Sequence, residues 1–129
     1  MRRLLMAGLL GICCFSLQAE DSKGLKHQYD EYNTGYFHGR LPKNIVINRR
    51  TDPSAYAYTT KDDGVFIITF SKSYNTGSRY EELTLLHEMC HVQEWDEAEK
   101  TNLHGPKWRV CMYKLKLAGA FDELLIEAN

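Results

Sequence analysis

Apolar residues in this chain fall into blocks whose spacing changes from helical to strand-like and back. The first block, Leu4 to Leu17, is apolar almost throughout and follows the charged pair Arg2-Arg3. From Ser22, which can cap a helix, Leu25, Tyr29, Tyr32 and Tyr36 recur every three or four residues, as one helical face requires. Gly35, Gly39 and Leu41-Pro42 close that segment. Three strand-like runs follow: β-branched NIVIN from Asn44 to Asn48, alternating AYAYTT from Ala55 to Thr60, and apolar VFIITF from Val65 to Phe70. Lys61-Asp62-Asp63-Gly64 joins the last two, and its Asp-Gly ending favours a tight reversal. The economical arrangement is an antiparallel meander.

Beyond Phe70 the period returns to helical. Ser78-Arg79-Tyr80-Glu81 is a capping box opening a helix from about Arg79 to Glu94. Its middle, Leu83 to Val92, is apolar on most sides, which marks a buried helix. A polar loop from Trp95 to Gly105 leads to Pro106, a residue suited to the first position of a third helix, with Trp108, Cys111, Met112 and Leu115 on its apolar face. Phe121 to Ala128 reads as a short closing helix.

At 129 residues, with 43% apolar and 26% charged residues, the chain is one small domain of ordinary globular composition. Residues 1–19 have the order of a secretory signal: two arginines, a short apolar stretch, and Leu17-Gln18-Ala19 ahead of the polar Glu20-Asp21. Cleavage after Ala19 leaves residues 20–129 as the mature domain, exported to a periplasm or secreted, with no membrane contact. The alternative is a retained N-terminal anchor or lipidation. Loss of Arg2 and Arg3 from the 16 basic residues, against 17 acidic ones, gives a mature net charge of −3. Such a surface is not built to neutralise phosphates, so nucleic acid is not an expected partner. Cys90 and Cys111 remain after cleavage. They either form the one disulfide an exported chain could hold or are two small buried side chains that never meet.

The chemistry lies in His87-Glu88-Met89-Cys90-His91, an HExxH motif inside the buried helix. Residues four apart share a helix face, so two imidazoles converge on one ion, and unpaired there they would be costly to bury. Glu88, one residue off that face, flanks the ion as general base toward an activated water and then returns the proton to the leaving amine. A catalytic zinc needs a third protein ligand and an open position. His104 is the first choice, placed after a loop and just before the helix begun by Pro106, whose positive end favours neutral imidazole. Glu97 is the rival and Glu123 a weaker one. His27 and His38 read as solvated surface histidines.

An opening helix leading into Asn33-Thr34-Gly35-Tyr36-Phe37-His38-Gly39-Arg40-Leu41-Pro42, then strands, then HEMCH at 87–91, then His104-Gly105-Pro106-Lys107-Trp108 resembles the SprT-like domain of bacterial SprT proteins and the Spartan protease. The likeness covers residues about 25–118. It implies an α+β zincin-like fold, a small antiparallel three-stranded sheet packed on the HExxH helix with flanking helices. It also implies Zn²⁺ held by His87, His91 and His104, Glu88 as the catalytic residue, and peptide or protein as substrate. Two departures bear on function. No cysteine-rich zinc ribbon like that of many relatives is expected after the domain, and an exported acidic chain suits poorly the DNA-crosslinked substrates of Spartan-type enzymes. The expectation is therefore an exported zinc metallopeptidase. The alternatives are a non-catalytic zinc-stabilised module and a DNA-associated protease.

Overall fold

The structure, a computed structural model, describes residues 13–51, 55–73, 78–98 and 104–125. In chain order the elements are α1 (Cys13–Tyr36), β1 (Ile45–Arg50), β2 (Ala57–Asp62), β3 (Val65–Ser71), α2 (Arg79–Gln93), α3 (Pro106–Leu117) and α4 (Asp122–Leu125). All the expected elements are present, so the architecture is α+β. The first helix begins well before Ser22, at Cys13, and runs without a break through the expected cleavage position at Ala19. The greater part of the expected signal segment, residues 1–12, lies outside the described residues, as does the end of the closing helix beyond Leu125. Among the described residues no helix is long and apolar enough to cross a membrane.

The sheet differs from a meander. Its strand order is β1-β3-β2, with β2 and β3 antiparallel but β1 and β3 parallel, so the three-stranded sheet is mixed rather than antiparallel. The reason lies in β3. Phe66, Ile68, Thr69, Phe70 and Ser71 are all buried, which demands a strand covered on both faces and paired on both edges. β2 turns back at Asp63-Gly64, where both residues have positive φ (45° and 78°), and the two-residue reversal sets Asp62 opposite Val65. That reversal slots β3 between β2 and β1.

α1 packs on β1 and α2 on β2, and the two helices touch each other over the apolar core. Leu25 and Tyr29 of α1 are fully enclosed, and the Tyr29 hydroxyl donates to the carbonyl of Pro42 at 2.8 Å. Buried Asn33 donates from Nδ2 to the Leu41 carbonyl and accepts the Leu41 N–H on Oδ1, both at 3.0 Å. This amide pins the chain as it leaves the helix through His38 and Gly39, both in left-handed conformation. Ser78 caps α2 by accepting from the Glu81 N–H at 3.2 Å. Leu85, Leu86, Met89, Cys90 and Val92 are buried around that helix, which leaves little of its central surface for solvent. A disulfide joins Cys90 of α2 to Cys111 of α3, settling the question that the cysteine count left open.

Candidate metal centre

α2 carries His87 and His91 one turn apart, and the start of α3 brings His104 back to meet them. His87 Nε2 lies 3.2 Å from His91 Nε2 and 3.0 Å from His104 Nε2. Each ring offers one nitrogen to a group spanning no more than 4.8 Å. Two ligand nitrogens at about 2.0–2.1 Å from a tetrahedral ion lie roughly 3.3–3.4 Å apart, close to the spacing seen. Hydrogen bonding does not account for that convergence. An imidazole nitrogen has one in-plane position, either a proton or a lone pair, so His87 Nε2 can serve only one of its two neighbours. A shared cation would satisfy all three at once. The residues present therefore fit a metal ion.

The surroundings favour neutral imidazoles, the form a metal requires. Burial, then the neighbouring charge of His104, lowers His87 to about 4. Burial, followed by His87 and His104, lowers His91 to about 3. Trp108 walls the group: its ring is stacked on His91 (centroids 5.4 Å apart, 22° between planes) and lies 4.2 Å from His104 and 4.7 Å from His87. Its indole N–H donates to the His87 carbonyl at 3.3 Å, tying α3 to α2 beside the rings. Arg109 Nε donates to the His104 carbonyl at 3.1 Å and steadies the residue outside the helix.

The rivals for the third place are elsewhere. Glu97 is exposed and ion-paired with Lys61, Glu123 is exposed on α4, and neither joins the histidine group. His27 and His38 are exposed at α1 and the turn after it, as expected.

Glu88 is buried and beside the group. Thr59 of β2 donates from Oγ1 to its Oε2 at 2.6 Å. Burial pushes the carboxyl up to about 7, with the Thr59 hydrogen bond acting in the opposite sense. Sequence reasoning missed Thr59, because its partner is 29 residues away and nothing local marks it. The alternation in AYAYTT was the available signal, since it puts Ala57 and Thr59 on one face of β2. A groove of about 460 Å³ opens in front of His87 and Glu88, between the start of β2, the first turns of α2 and the α3–α4 junction.

The sequence profile of the SprT-like family matches residues 25–126. The chain belongs to the SprT-like family. The match takes in β1 to β3, the HExxH helix, His104 and Trp108, and begins at Leu25, beyond the expected signal segment. Among solved structures, the metallopeptidase zymogen abylysin of Pyrococcus abyssi is similar at 16% identity and a TM-score of 0.49, over 81% of this chain and 94% of that one. That likeness is too loose to carry an argument about this SprT-like chain.

Proposed function

We propose that this SprT-like chain is a zinc-dependent peptidase, with His87, His91 and His104 as ligands and Glu88 as the general base. The observation that carries the proposal is the convergence of three imidazole nitrogens, one of them 3.0 and 3.2 Å from the other two, beside a buried carboxylate. A three-imidazole donor set suits zinc among the common divalent ions. Zinc there supplies Lewis acidity, polarising the scissile carbonyl and making a water acidic near neutral pH.

The protein's own groups do the rest. Thr59 occupies Glu88 Oε2 and leaves Oε1 for proton transfer. Glu88 takes a proton from the water as its oxygen bonds to the carbonyl carbon. It then gives that proton to the amide nitrogen as the C–N bond breaks, so no proton is left over. β2 is an edge strand next to the groove, and an extended peptide can add to it through main-chain hydrogen bonds. An open fourth position is supported by where its competitors are. Cys90 and Cys111 are bonded to each other, and Glu97 is paired with Lys61. These pairings argue against a closed, purely structural metal site.

Action outside the cytoplasm is part of the proposal. The arginine-led apolar N-terminus and the Cys90–Cys111 disulfide both support it, since disulfides persist in oxidising compartments. Peptide or protein is the proposed substrate, and a net charge of −1 for the whole chain argues against nucleic acid as partner.

The deciding experiment compares wild type with Glu88→Gln in casein and peptide cleavage, alongside zinc content by atomic spectroscopy. We expect one zinc per chain in both proteins and a rate lowered at least about 100-fold in the variant. Equal rates in both would end the role assigned to Glu88.

A further inference from the structure

We propose that the groove in front of Glu88 binds one bulky apolar side chain of an extended peptide, at a residue flanking the bond to be cut. The inference rests on the peptidase reading and adds the class of substrate. Its first support is position. His87 and Glu88 themselves form part of the groove wall, so whatever fills the groove is held against the reacting groups. The groove also begins at Tyr56 and Ala57, the entry to edge strand β2. A peptide laid along that edge sends alternate side chains to one face, where the groove lies.

The second support is chemical. Away from His87 and Glu88, the walls are Ala57 of β2, Leu83 of α2, Met112 of α3 and Phe121 before α4. Thr84 also lines the groove, but its hydroxyl donates to the Tyr80 carbonyl at 2.6 Å, so its proton is not offered to a ligand. A charged side chain entering here would lose water and meet no opposite charge on these walls. A carboxylate would also face Glu88. Cationic side chains are the ones that Glu88 can pair with, which makes lysine the decisive control. Tyr56, just ahead of β2, and Tyr80 of α2 also line the groove, 71% and 73% exposed. Such rings offer apolar area at low entropic cost while their hydroxyls stay wet. A cavity of about 460 Å³ is at the small end of ligand sites (about 300–1,000 Å³), suited to one large side chain and its backbone rather than a folded surface.

The test uses zinc-loaded Glu88→Gln protein, in which the pairing partner for lysine is removed. Labelled, end-blocked heptapeptides differing only at the central residue (Phe, Leu, Gly, Asp or Lys) are titrated by fluorescence anisotropy. The same peptides are then offered to wild type and the cut positions read by mass spectrometry. Phe and Leu peptides are expected to bind at least about tenfold tighter than Gly, Asp and Lys peptides, and to be cut beside the central residue. Met112→Glu and, separately, Phe121→Ala each reduce that preference to under about threefold. Affinities within about twofold of one another, or a preference for Lys or Asp, would overturn the proposal. The two readings fail separately. Discrimination by the Glu88→Gln protein without any cleavage by wild type removes the peptidase and keeps the groove. Cleavage by wild type without discrimination keeps the peptidase and removes the groove.

Discussion

Glu81 and Glu88 are seven residues apart on α2, on the side of the helix that faces the sheet, and both are buried. Their partners differ. Glu81 is ion-paired with Arg49 of β1, whose guanidinium also lies over the Phe70 ring, whereas Glu88 meets the neutral hydroxyl of Thr59. A guanidinium paired with Glu88 would occupy its carboxylate, whereas a single hydroxyl orients it through Oε2 and leaves the other oxygen to take and return a proton. Thr59→Val tests this at the level of one atom. A hydrogen bond to a charged group contributes about 1.5–3 kcal/mol, so kcat should fall roughly 10- to 100-fold with zinc content and KM little changed. A matching loss of zinc would show that Thr59 supports the fold rather than the base. The pairing of His87 with His91 was legible because a helix fixes the geometry of i and i+4 neighbours. Thr59 was not, because contact between a strand and a helix depends on how the two are docked.

At the scale of elements, local chemistry was read well and docking was not. Ser78 caps α2, Pro106 opens α3 and Asp63-Gly64 turns the hairpin, as residue preferences dictate. The parallel pairing of β1 with β3 was missed, since no property of NIVIN specifies its neighbour. The nearly unbroken apolar run VFIITF was the clue, because such a run belongs in the middle of a sheet. The Cys90–Cys111 bridge shows the same division. Two cysteines gave the possibility, and only the packing of α2 against α3 gave the bond. It sits one residue from His91 and clamps the helix that follows His104. A Cys90→Ser, Cys111→Ser double variant should lose about 2–5 kcal/mol of stability and at least about 6 °C in Tm, read by circular dichroism. A shift under about 2 °C would mean that helix packing alone holds the two together.

Over the whole molecule, a metal joining α2 to His104, ahead of α3, would couple binding to folding. Zinc at 100 times its Kd should stabilise the domain by about 2.7 kcal/mol, and chelation should reverse this, seen as a Tm that rises with zinc and falls with EDTA. A Tm indifferent to both would mean that no ion bridges the two segments. His104→Ala should remove most of that response while leaving the apoprotein Tm within about 2 °C, since the ring is exposed on a loop. The order of elements and the family were legible at this scale because the ordered motifs span most of the chain.

The two tryptophans have separate addresses. Trp95 sits edge-on to Phe66 across the sheet, whereas Trp108 lies against all three imidazoles. Any change in the protonation, tilt or occupancy of those rings therefore acts directly on the Trp108 indole. The protein thus carries an intrinsic optical gauge of its own centre, so loading and depletion can be followed by emission in real time, without a dye or an assay substrate.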